Sequence, residues 1–254
     1  MAKIIALANH KGGVGKSTAV ANISTCLALK GKRVLAVSLD GKGSLCLALG
    51  FDRENTEKSV YNVIIDGILP KTAIYKTKIE GLFIMPSSTE LYSAEGELYT
   101  LSAKTKRLRT ALSEIEGDFD YILIDCPPSL GALTANALVA SNEVIIPILP
   151  EYLAVEGLSD LLSAIKLARK TNLYLTVGGV FFSAVDDRAI VTKELMESIK
   201  NIFGNKVAKT VIPKNIRIAE APSHGVPVIM HDSQSSGAVA YREITEELFE
   251  KEEK

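Results

Sequence analysis

The residues with the clearest chemical potential lie between positions 10 and 18, where the sequence reads HKGGVGKST. This stretch nearly matches the phosphate-binding pattern G-x-x-x-x-G-K-[ST], in which glycines let backbone N–H groups converge on phosphate oxygens. Counting back from Gly15 and Lys16, His10 stands where the pattern has its first glycine, and a second lysine follows at Lys11. The stretch therefore predicts a site for nucleotide phosphates with one departure from the usual pattern.

Each member of this phosphate-binding loop has an expected task. Lys16 is expected to bridge the β- and γ-phosphates of ATP, and the Ser17 hydroxyl is expected to bind Mg²⁺. The N-terminus of the helix that follows adds partial positive charge. The residues expected to contact ATP are Gly12, Gly13, Val14, Gly15, Lys16, Ser17 and Thr18. A glycine turn with two surface lysines is the alternative, and it is disfavoured because the loop follows a predicted strand and opens a predicted helix.

A second candidate ligand for the metal is Asp125. Residues 121–128 read YILIDCPP, an apolar strand that ends in a carboxylate. Open α/β sheets bind ligands at the carboxyl ends of their strands, so Asp125 is expected to hold Mg²⁺ through a water molecule. An aspartate after a strand can also be a helix cap or a turn residue, but the phosphate-binding loop upstream favours the metal role.

The elements that must position these residues alternate along the chain. Apolar runs predict strands at 3–8, 33–37, 82–85, 121–124, 143–149, 177–182 and 207–212. Helical spacing predicts helices at 16–30, 60–68, 101–115, 133–140, 157–170, 193–203 and 238–251. This alternation predicts an α/β fold with a doubly wound, mostly parallel sheet and helices on both faces. Together with the phosphate-binding loop, it predicts the P-loop NTPase fold. No repeat or linker divides the sequence, so residues 1–254 are expected to form a single ATPase domain.

The composition indicates which partners the protein can bind and in which cellular compartment it works. Lys and Arg total 29 against 30 Asp and Glu, a net charge of −1, so any binding to DNA must come from a local basic patch. The three cysteines, Cys26, Cys46 and Cys126, are widely spaced, which disfavours a disulfide framework or a zinc site and fits a reducing cytoplasm. The apolar run near the N-terminus is too short for a signal peptide or a membrane span.

Several segments resemble a known family. KGGVGKST at 11–18 resembles the deviant phosphate-binding loop of the ParA/MinD family of ATPases. The runs similar to the small chromosomal-type ParA members, often called Soj, are DCPPSLG at 125–131, EYLAVEGL at 151–158, VIPKNIR at 211–217 and EAPSHG at 220–225. The resemblance extends over nearly the whole sequence.

The resemblance implies a switch that is controlled by ATP. In the family the extra lysine, here Lys11, reaches across a two-fold interface to the nucleotide of the partner subunit, so a homodimer is expected in the ATP state. Such dimers bind double-stranded DNA non-specifically, are stimulated by a ParB-type protein, and segregate chromosomes, plasmids or related elements. The resemblance therefore implies a cytoplasmic ATPase that associates with the nucleoid when ATP is bound.

The same resemblance implies roles for residues outside the loop. Asp40 matches the residue that orients the attacking water, and with Lys11 and Lys16 it forms the expected catalytic set. Pro213 and Asn215 lie in the stretch that runs near the nucleotide base in the family. These assignments depend on the family pattern, because neither residue type is diagnostic by itself.

Three basic residues match positions that contact DNA phosphates in the family. They are Arg188, Lys214 and Arg217. Contacts to phosphate need only a shared basic face and carry no sequence preference. The alternative is ordinary solvated surface charge, which describes most lysines and arginines.

The segment around Asp40 departs from the family pattern. Residues 38–43 read SLDGKG where relatives usually show D-x-D-P-Q-G. Ser38 lacks a carboxylate near the Mg²⁺ site, and Lys42 adds a positive charge that offers Asp40 an ion pair. Gly41 in place of proline is expected to loosen the turn that aims Asp40. We expect ATP binding to persist and hydrolysis to be slow.

Two other classes of function compete with this interpretation. A MinD-like membrane switch would need a C-terminal amphipathic helix with a basic polar face, whereas residues 246–254 read EELFEKEEK, so no stable membrane association is expected. A P-loop enzyme that activates a small carboxylate would not require Lys11 and would turn over ATP without DNA or a partner protein. Because no long segment precedes the first predicted strand, the separate helix-turn-helix of larger plasmid ParA proteins is not expected.

Overall fold

Seven strands form one sheet within residues 1–151, 154–185 and 190–249, the residues that this computed structural model describes. The strands are β1 (Lys3–Leu7), β2 (Val34–Ser38), β3 (Tyr75–Lys76), β4 (Leu82–Met85), β5 (Tyr121–Asp125), β6 (Glu143–Ile148) and β7 (Thr176–Phe182). Their order in the sheet is β3-β4-β2-β5-β1-β6-β7, and each neighbouring pair is parallel except β3 with β4. The predicted α/β class with a mostly parallel sheet is confirmed.

Helices connect the strands and cover the sheet. Within the described residues they are α1 (Lys16–Leu29), α2 (Ser44–Ala48), α3 (Leu91–Thr100), α4 (Arg107–Ser113), α5 (Ala132–Ala140), α6 (Ala154–Ala168), α7 (Ile190–Phe203), α8 (Ile216–Glu220), α9 (Val228–His231) and α10 (Ser236–Phe249). Single 3₁₀ or π turns cover Asn62–Asp66, Pro70–Ala73, Glu116–Asp118, Gly204–Lys206 and Ala221–His224. None of these described helices has the length and apolar character needed to cross a membrane.

The central strands are buried on both faces because their side chains alternate between two apolar layers. In β1, Ile4 and Ala6 pack in the layer that contains α3, α4, α5, α6 and α7. Ile5 and Leu7 pack in the layer that contains α1, α2, α9 and α10. This double burial explains why the strands appear in the sequence as nearly continuous apolar runs.

The predicted strand at 207–212 is wrong. Its first residue, Val207, makes an isolated bridge to β7. In the middle of the segment, the Glu247 carboxylate of α10 accepts the N–H groups of Lys209 and Thr210 at 2.7 and 2.9 Å. A side chain thus takes the donors that a strand ladder would need, and the segment runs along β7 without joining the sheet as a strand.

Two helix predictions also fail in part. Residues 101–115 were expected to form one helix, but α4 covers only part of this range. Leu101 ends α3 in an extended conformation, and Ala103 has a φ of 52°, which a residue inside an α-helix does not adopt. The predicted helix at 60–68 is present but shorter, since residues 60–66 are helical and Asn62–Asp66 within them form a π turn. Helix α3 was missed because its polar residues weaken the apolar periodicity.

The carboxyl ends of β1, β2 and β5 lie at the same edge of the sheet. Asp125 at the end of β5 is in register with Leu7 of β1 and with Ser38 of β2. The chain leaves these strands into the phosphate-binding loop, the loop around Asp40, and the loop before α5. The segments that the sequence analysis selected are therefore neighbours, where open α/β sheets bind ligands.

Candidate functional site

The phosphate-binding loop between β1 and α1 has the backbone geometry of an anion site. Gly13 and Gly15 have φ values of 76° and 84°, a left-handed conformation that favours glycine. Gly15 is the N-cap of α1, so no side chain occupies the helix N-terminus. The Ser183 hydroxyl, just after β7, donates to the Val14 carbonyl at 2.8 Å and holds the loop in place. Free N–H groups at a helix N-terminus can therefore receive phosphate oxygens here.

Lys16 lies within this loop and is 6% exposed. Its Nζ donates to the carbonyl oxygens of Asn9 and Lys11, both at 3.2 Å. Burial lowers the pKa of Lys16, and the negative charge of Asp125 opposes that shift. The ammonium group is thus held by weak backbone contacts at the point where a phosphate would supply a stronger partner.

Asp125 is fully buried at the end of β5, and neither carboxylate oxygen has a hydrogen-bond partner of normal geometry among the described residues. Burial raises the pKa of Asp125 to about 7, while the nearby Ser17 hydroxyl and Lys16 oppose the rise. The Ser38 hydroxyl on the adjacent strand likewise has no partner of normal geometry. Buried polar groups without partners are uncommon, and Mg²⁺ binds oxygens while keeping several waters. These residues therefore fit a hydrated Mg²⁺ ion.

An open cavity of about 230 Å³ joins the phosphate-binding loop to the loop around Asp40. Its lining residues are Gly12, Gly13, Gly15, Lys16, Ser17, Thr18, Asp40, Lys42, Ser44 and Pro128. The Asp40 carboxylate accepts the backbone N–H of Lys42 at 3.0 Å. Within the described residues no ion pair joins the two side chains, in contrast to the expected competition by Lys42. Asp40 thus faces the same space as the predicted phosphate ligands.

A second cavity of about 320 Å³ lies beside the same loop. It is lined by Gly13, Val14, Gly15, Thr18, Ser183, Ala184, Ile212, Pro213, Lys214, Asn215, Ile218, Ala219, Pro222 and Tyr241. The fold thereby brings Pro213 and Asn215 next to the phosphate-binding loop. Mostly apolar walls with a few polar groups suit a flat heterocyclic base.

Lys11 occupies a different environment from Lys16 and lines neither cavity. Its Nζ forms an ion pair with Glu151, whose side chain is 56% exposed. Its backbone N–H donates to the Asn9 Oδ1 atom at 2.9 Å, which fixes the start of the loop. Within one subunit, Lys11 therefore places its charge at the surface rather than in the phosphate-binding loop.

The three predicted DNA-binding residues differ in what the structure shows of them. Arg188 lies outside the described residues. Lys214 is exposed beside the second cavity. Arg217 in α8 is half-exposed, and its guanidinium lies 2.9 Å from Glu220 and 3.5 Å from Asp232. Two carboxylates therefore compensate the charge of Arg217 in this state.

The sequence analysis missed three residues that shape the site. Asn9 accepts hydrogen bonds from both loop lysines and donates to the Pro147 carbonyl at 2.7 Å, so it links the loop to β6. Ser183 holds the loop through Val14, and Tyr241 of α10 lines the second cavity. Asn9 and Ser183 could have been found from the sequence, because each is a polar residue directly after an apolar strand. Tyr241 had no signal, because it belongs to an ordinary amphipathic helix.

Comparisons with known proteins agree with this geometry. A family model described as an AAA domain matches residues 2–177. The sporulation initiation inhibitor protein Soj of Bacillus subtilis (strain 168) is 44% identical over 249 residues, which cover 98% of each chain. The chromosome partitioning protein ParA of Caulobacter vibrioides (strain NA1000 / CB15N) is 37% identical over 253 residues, covering 98% of this chain and 95% of that one.

Solved structures share the fold over nearly the full length. The crystal structure of cobyrinic acid a,c-diamide synthase from Mycobacterium smegmatis with bound ADP and magnesium has a TM-score of 0.84 and 33% identity, covering 97% of this chain and 93% of that one. The septum site-determining protein MinD from Pyrococcus horikoshii OT3, complexed with Mg-ADP, has a TM-score of 0.78 and 26% identity, covering 98% and 96%. Together with the relatives above, these matches show that the chain belongs to the ParA/MinD family of P-loop ATPases.

Proposed function

We propose that this protein is a partition ATPase that binds ATP with Mg²⁺, forms a homodimer in the ATP state, and binds double-stranded DNA non-specifically as that dimer. The observation that carries the proposal is that the two lysines of the loop lie in different environments. Lys16 is buried in the phosphate-binding loop, while Lys11 extends to the surface and pairs with Glu151. This surface position supports a role for Lys11 at the nucleotide of another subunit. We further propose that residues 1–254 act as one ATPase domain.

The site residues divide between holding ATP and promoting its hydrolysis. The backbone of residues 12–18 and Lys16 bind the phosphates, and the Ser17 hydroxyl with Asp125, through water, holds Mg²⁺. When bound, Mg²⁺ neutralises negative charge on the phosphates. Asp40 orients the attacking water and accepts its proton. Hydrolysis is expected to be slow, because Ser38 supplies no second carboxylate near the metal.

The base and the DNA occupy neighbouring surfaces in this proposal. Pro213 and Asn215 flank the base in the second cavity. Arg188, Lys214 and Arg217 contact DNA phosphates on a shared basic face. A ParB-type protein stimulates hydrolysis, so the ATP dimer associates with the nucleoid and the ADP form returns to the cytoplasm. The similarity to Soj and ParA proteins along the whole chain supports this cycle.

The test is the oligomeric state of lysine variants measured by light scattering with ATP and with ADP. Wild type should dimerise with ATP only, Lys11→Ala should bind ATP yet remain monomeric, and Lys16→Ala should lose nucleotide binding. Lys71→Ala is the matched control, since it removes an exposed ion pair with Asp118 at 2.9 Å. A normal ATP-dependent dimer of Lys11→Ala would refute the proposed role of this lysine.

A P-loop synthase is the second candidate, and it is favoured by the 33% identity to the synthase named above. A synthase would turn over ATP in the presence of its small substrate, with no stimulation by DNA. The higher identity to Soj, over 98% of each chain, supports the partition function instead. ATP turnover measured with and without DNA and a ParB-type protein separates the two.

A MinD-like membrane switch has less support. The last five residues, 250–254, lie outside the described residues. In α10, the apolar side chains of Tyr241, Ile244 and Phe249 are buried against the body of the protein. An amphipathic helix must expose such a face to enter a lipid surface. We therefore propose that the protein does not associate stably with membranes.

A further inference from the structure

The Asp40 loop, residues 40–43 between β2 and α2, makes more contacts than its glycine-rich sequence suggests. Gly41 in place of proline was expected to loosen the turn. In the structure, Gly41 is buried, so neighbouring groups pack around it. The Gly43 N–H donates to the Asp40 carbonyl at 2.9 Å, and the Lys42 N–H donates to the Asp40 carboxylate at 3.0 Å. These bonds close a tight turn, but they do not tie it to the rest of the protein.

Arg53 supplies one such tie. Its Nη1 donates to the Gly41 carbonyl at 2.7 Å, and its side chain is only 20% exposed. The guanidinium also fills the space beside Gly43, where a Cβ would come within 2.6 Å of the Arg53 Cζ atom. Gly43 has a φ of 73°, so glycine suits both the conformation and the contact. Arginine is suited to this task because its planar group is always charged and offers several donors.

The ring of Tyr92 in α3 lies beside the same loop, at Gly41. A Cβ placed on Gly41 would lie 3.3 Å from two atoms of the Tyr92 ring, closer than ordinary van der Waals contact. The Tyr92 side chain is nevertheless 65% exposed, so its burial contributes little to the apolar core. Its ring therefore lies against the loop while remaining largely at the surface.

We propose that Arg53 and Tyr92 are positioning residues for ATP hydrolysis, which hold the Asp40 loop at Gly41 and Gly43 and replace the stiffness that proline would give. The proposal rests on the role proposed above for Asp40. Neither residue lines the cavity that contains Asp40 and the phosphate-binding loop. Their loss should therefore slow hydrolysis and leave nucleotide affinity unchanged, because a displacement of about 1 Å can reduce a rate about a hundredfold.

The experiment measures single-turnover hydrolysis at saturating Mg-ATP, together with the affinity for a fluorescent ADP analogue and the melting temperature. Arg53→Ala should reduce the rate about tenfold or more with affinity changed less than about twofold, and Arg53→Lys should recover part of the rate. Tyr92→Ala should reduce the rate several-fold, while Tyr92→Phe should match wild type because the ring, not the hydroxyl, contacts the loop. Tyr92 is largely exposed, so its variants should fold even if Arg53→Ala does not.

Arg169→Ala is the matched control, because Arg169 also donates to a loop carbonyl, that of Leu175 at 2.7 Å, but at the amino end of β7. Asp40→Ala separates this inference from the proposed function. If Asp40→Ala abolishes hydrolysis while Arg53→Ala and Tyr92→Ala behave like Arg169→Ala, the positioning role is refuted and the Asp40 role stands. If Asp40→Ala hydrolyses ATP normally, both are refuted.

A double-mutant cycle gives an independent readout. Gly41→Ala should slow hydrolysis, because its methyl group would press on the Tyr92 ring. In a Tyr92→Ala background the added methyl group has space, so the same change should have little further effect. Fully additive losses would contradict a contact between Gly41 and Tyr92 that controls the rate.

Discussion

At the scale of single residues, Asp125 destabilises the nucleotide-free protein. It is fully buried, and burial raises its pKa from the ordinary 3.8 to about 7. The unfolded chain therefore loses this proton near pH 4, whereas the folded protein keeps it until near pH 7. The folded state therefore becomes less stable as the pH rises from about 4 to about 7, and the loss of stability stays constant above about pH 7.

Asp125→Asn should accordingly stabilise the nucleotide-free protein more strongly as pH increases from about 4 to about 7. The pKa difference corresponds to an upper limit of about 4 kcal/mol. Urea unfolding across this pH range should show the effect, and Mg-ATP should remove the advantage of the variant. Asp66→Asn serves as control, because Asp66 is exposed and is not among the groups that shift the pKa of Asp125. A difference that does not change with pH would contradict the argument.

The ion pair between Lys11 and Glu151 leads to a second prediction at this scale. Lys11 must leave Glu151 before it can reach the nucleotide of a partner subunit. Glu151→Gln should therefore strengthen ATP-dependent dimerisation about two- to fivefold, since a partly exposed ion pair contributes less than about 1 kcal/mol. Sedimentation velocity with a non-hydrolysable ATP analogue would measure the change. Asp160→Asn is the control, because it removes the partner of His10, the adjacent residue.

A weaker dimer of Glu151→Gln would indicate instead that Glu151 contributes to the interface itself. Equal effects of Glu151→Gln and Asp160→Asn would indicate that dimerisation responds to the total negative charge near the loop and not to the ion pair of Lys11. Only stronger dimerisation that is specific to Glu151→Gln agrees with the proposal that Lys11 exchanges Glu151 for the nucleotide of the partner subunit.

At the scale of secondary structure elements, α5 depends on α3 for its beginning. The N-cap of α5 is Gly131, which has no side chain to bond the first N–H groups. The Glu95 carboxylate of α3 accepts the Ala132 N–H, and its other oxygen lies 3.4 Å from the Leu133 nitrogen. A carboxylate at a helix N-terminus is also favoured by the helix dipole. Helix α3 thus fixes the end of the loop that follows Asp125.

Glu95→Ala should lower the free energy of unfolding by about 1–2 kcal/mol, because it removes a charged cap from α5. Glu95→Gln should lower the free energy of unfolding by less than Glu95→Ala, since the amide oxygen can still accept a hydrogen bond. Chemical denaturation at neutral pH would measure both. Glu114→Ala is a suitable control at the exposed end of α4. A loss no larger than that of the control would show that α5 does not need this cap.

At the scale of the whole molecule, electrostatics restrict how DNA can bind. A net charge of −1 gives no general attraction to DNA, so the proposed affinity requires a local basic patch, which the proposed ATP dimer would present from both subunits. Arg217 is paired with Glu220 and Asp232, which reduces the charge it can offer. The proposal therefore predicts DNA binding that requires ATP and that responds to these carboxylates.

Arg217→Ala should weaken binding to every duplex equally and reduce the slope of log affinity against log salt by about 0.9. Asp232→Asn should change affinity in the opposite direction, because it releases Arg217 from one carboxylate. Fluorescence anisotropy with unrelated duplexes at several salt concentrations would test both. Arg33→Ala, at the amino end of β2, should have no effect on binding. Tight binding to one sequence alone would contradict the non-specific mode.

Much of the nucleotide site could be predicted because local sequence specifies it. The glycines and Lys16 of the phosphate-binding loop act through their own backbone and neighbours, and Asp125 follows directly from an apolar strand. The errors arose where distant groups decide local structure. Glu247 of α10 takes backbone donors from residues 207–212, so a segment with strand-like composition does not form a strand.

The sequence by itself determined the alternation of strands and helices, the parallel sheet and the loop chemistry, because these depend on periodicity and on residues close in the chain. Only the tertiary structure decided that Arg53 and Tyr92 lie against the Asp40 loop. It also decided that Lys11 pairs with Glu151 and that the Asp125 oxygens lack a hydrogen-bond partner of normal geometry among the described residues. Such contacts depend on how separate elements pack, and no local pattern encodes the distance between side chains that are far apart in the chain.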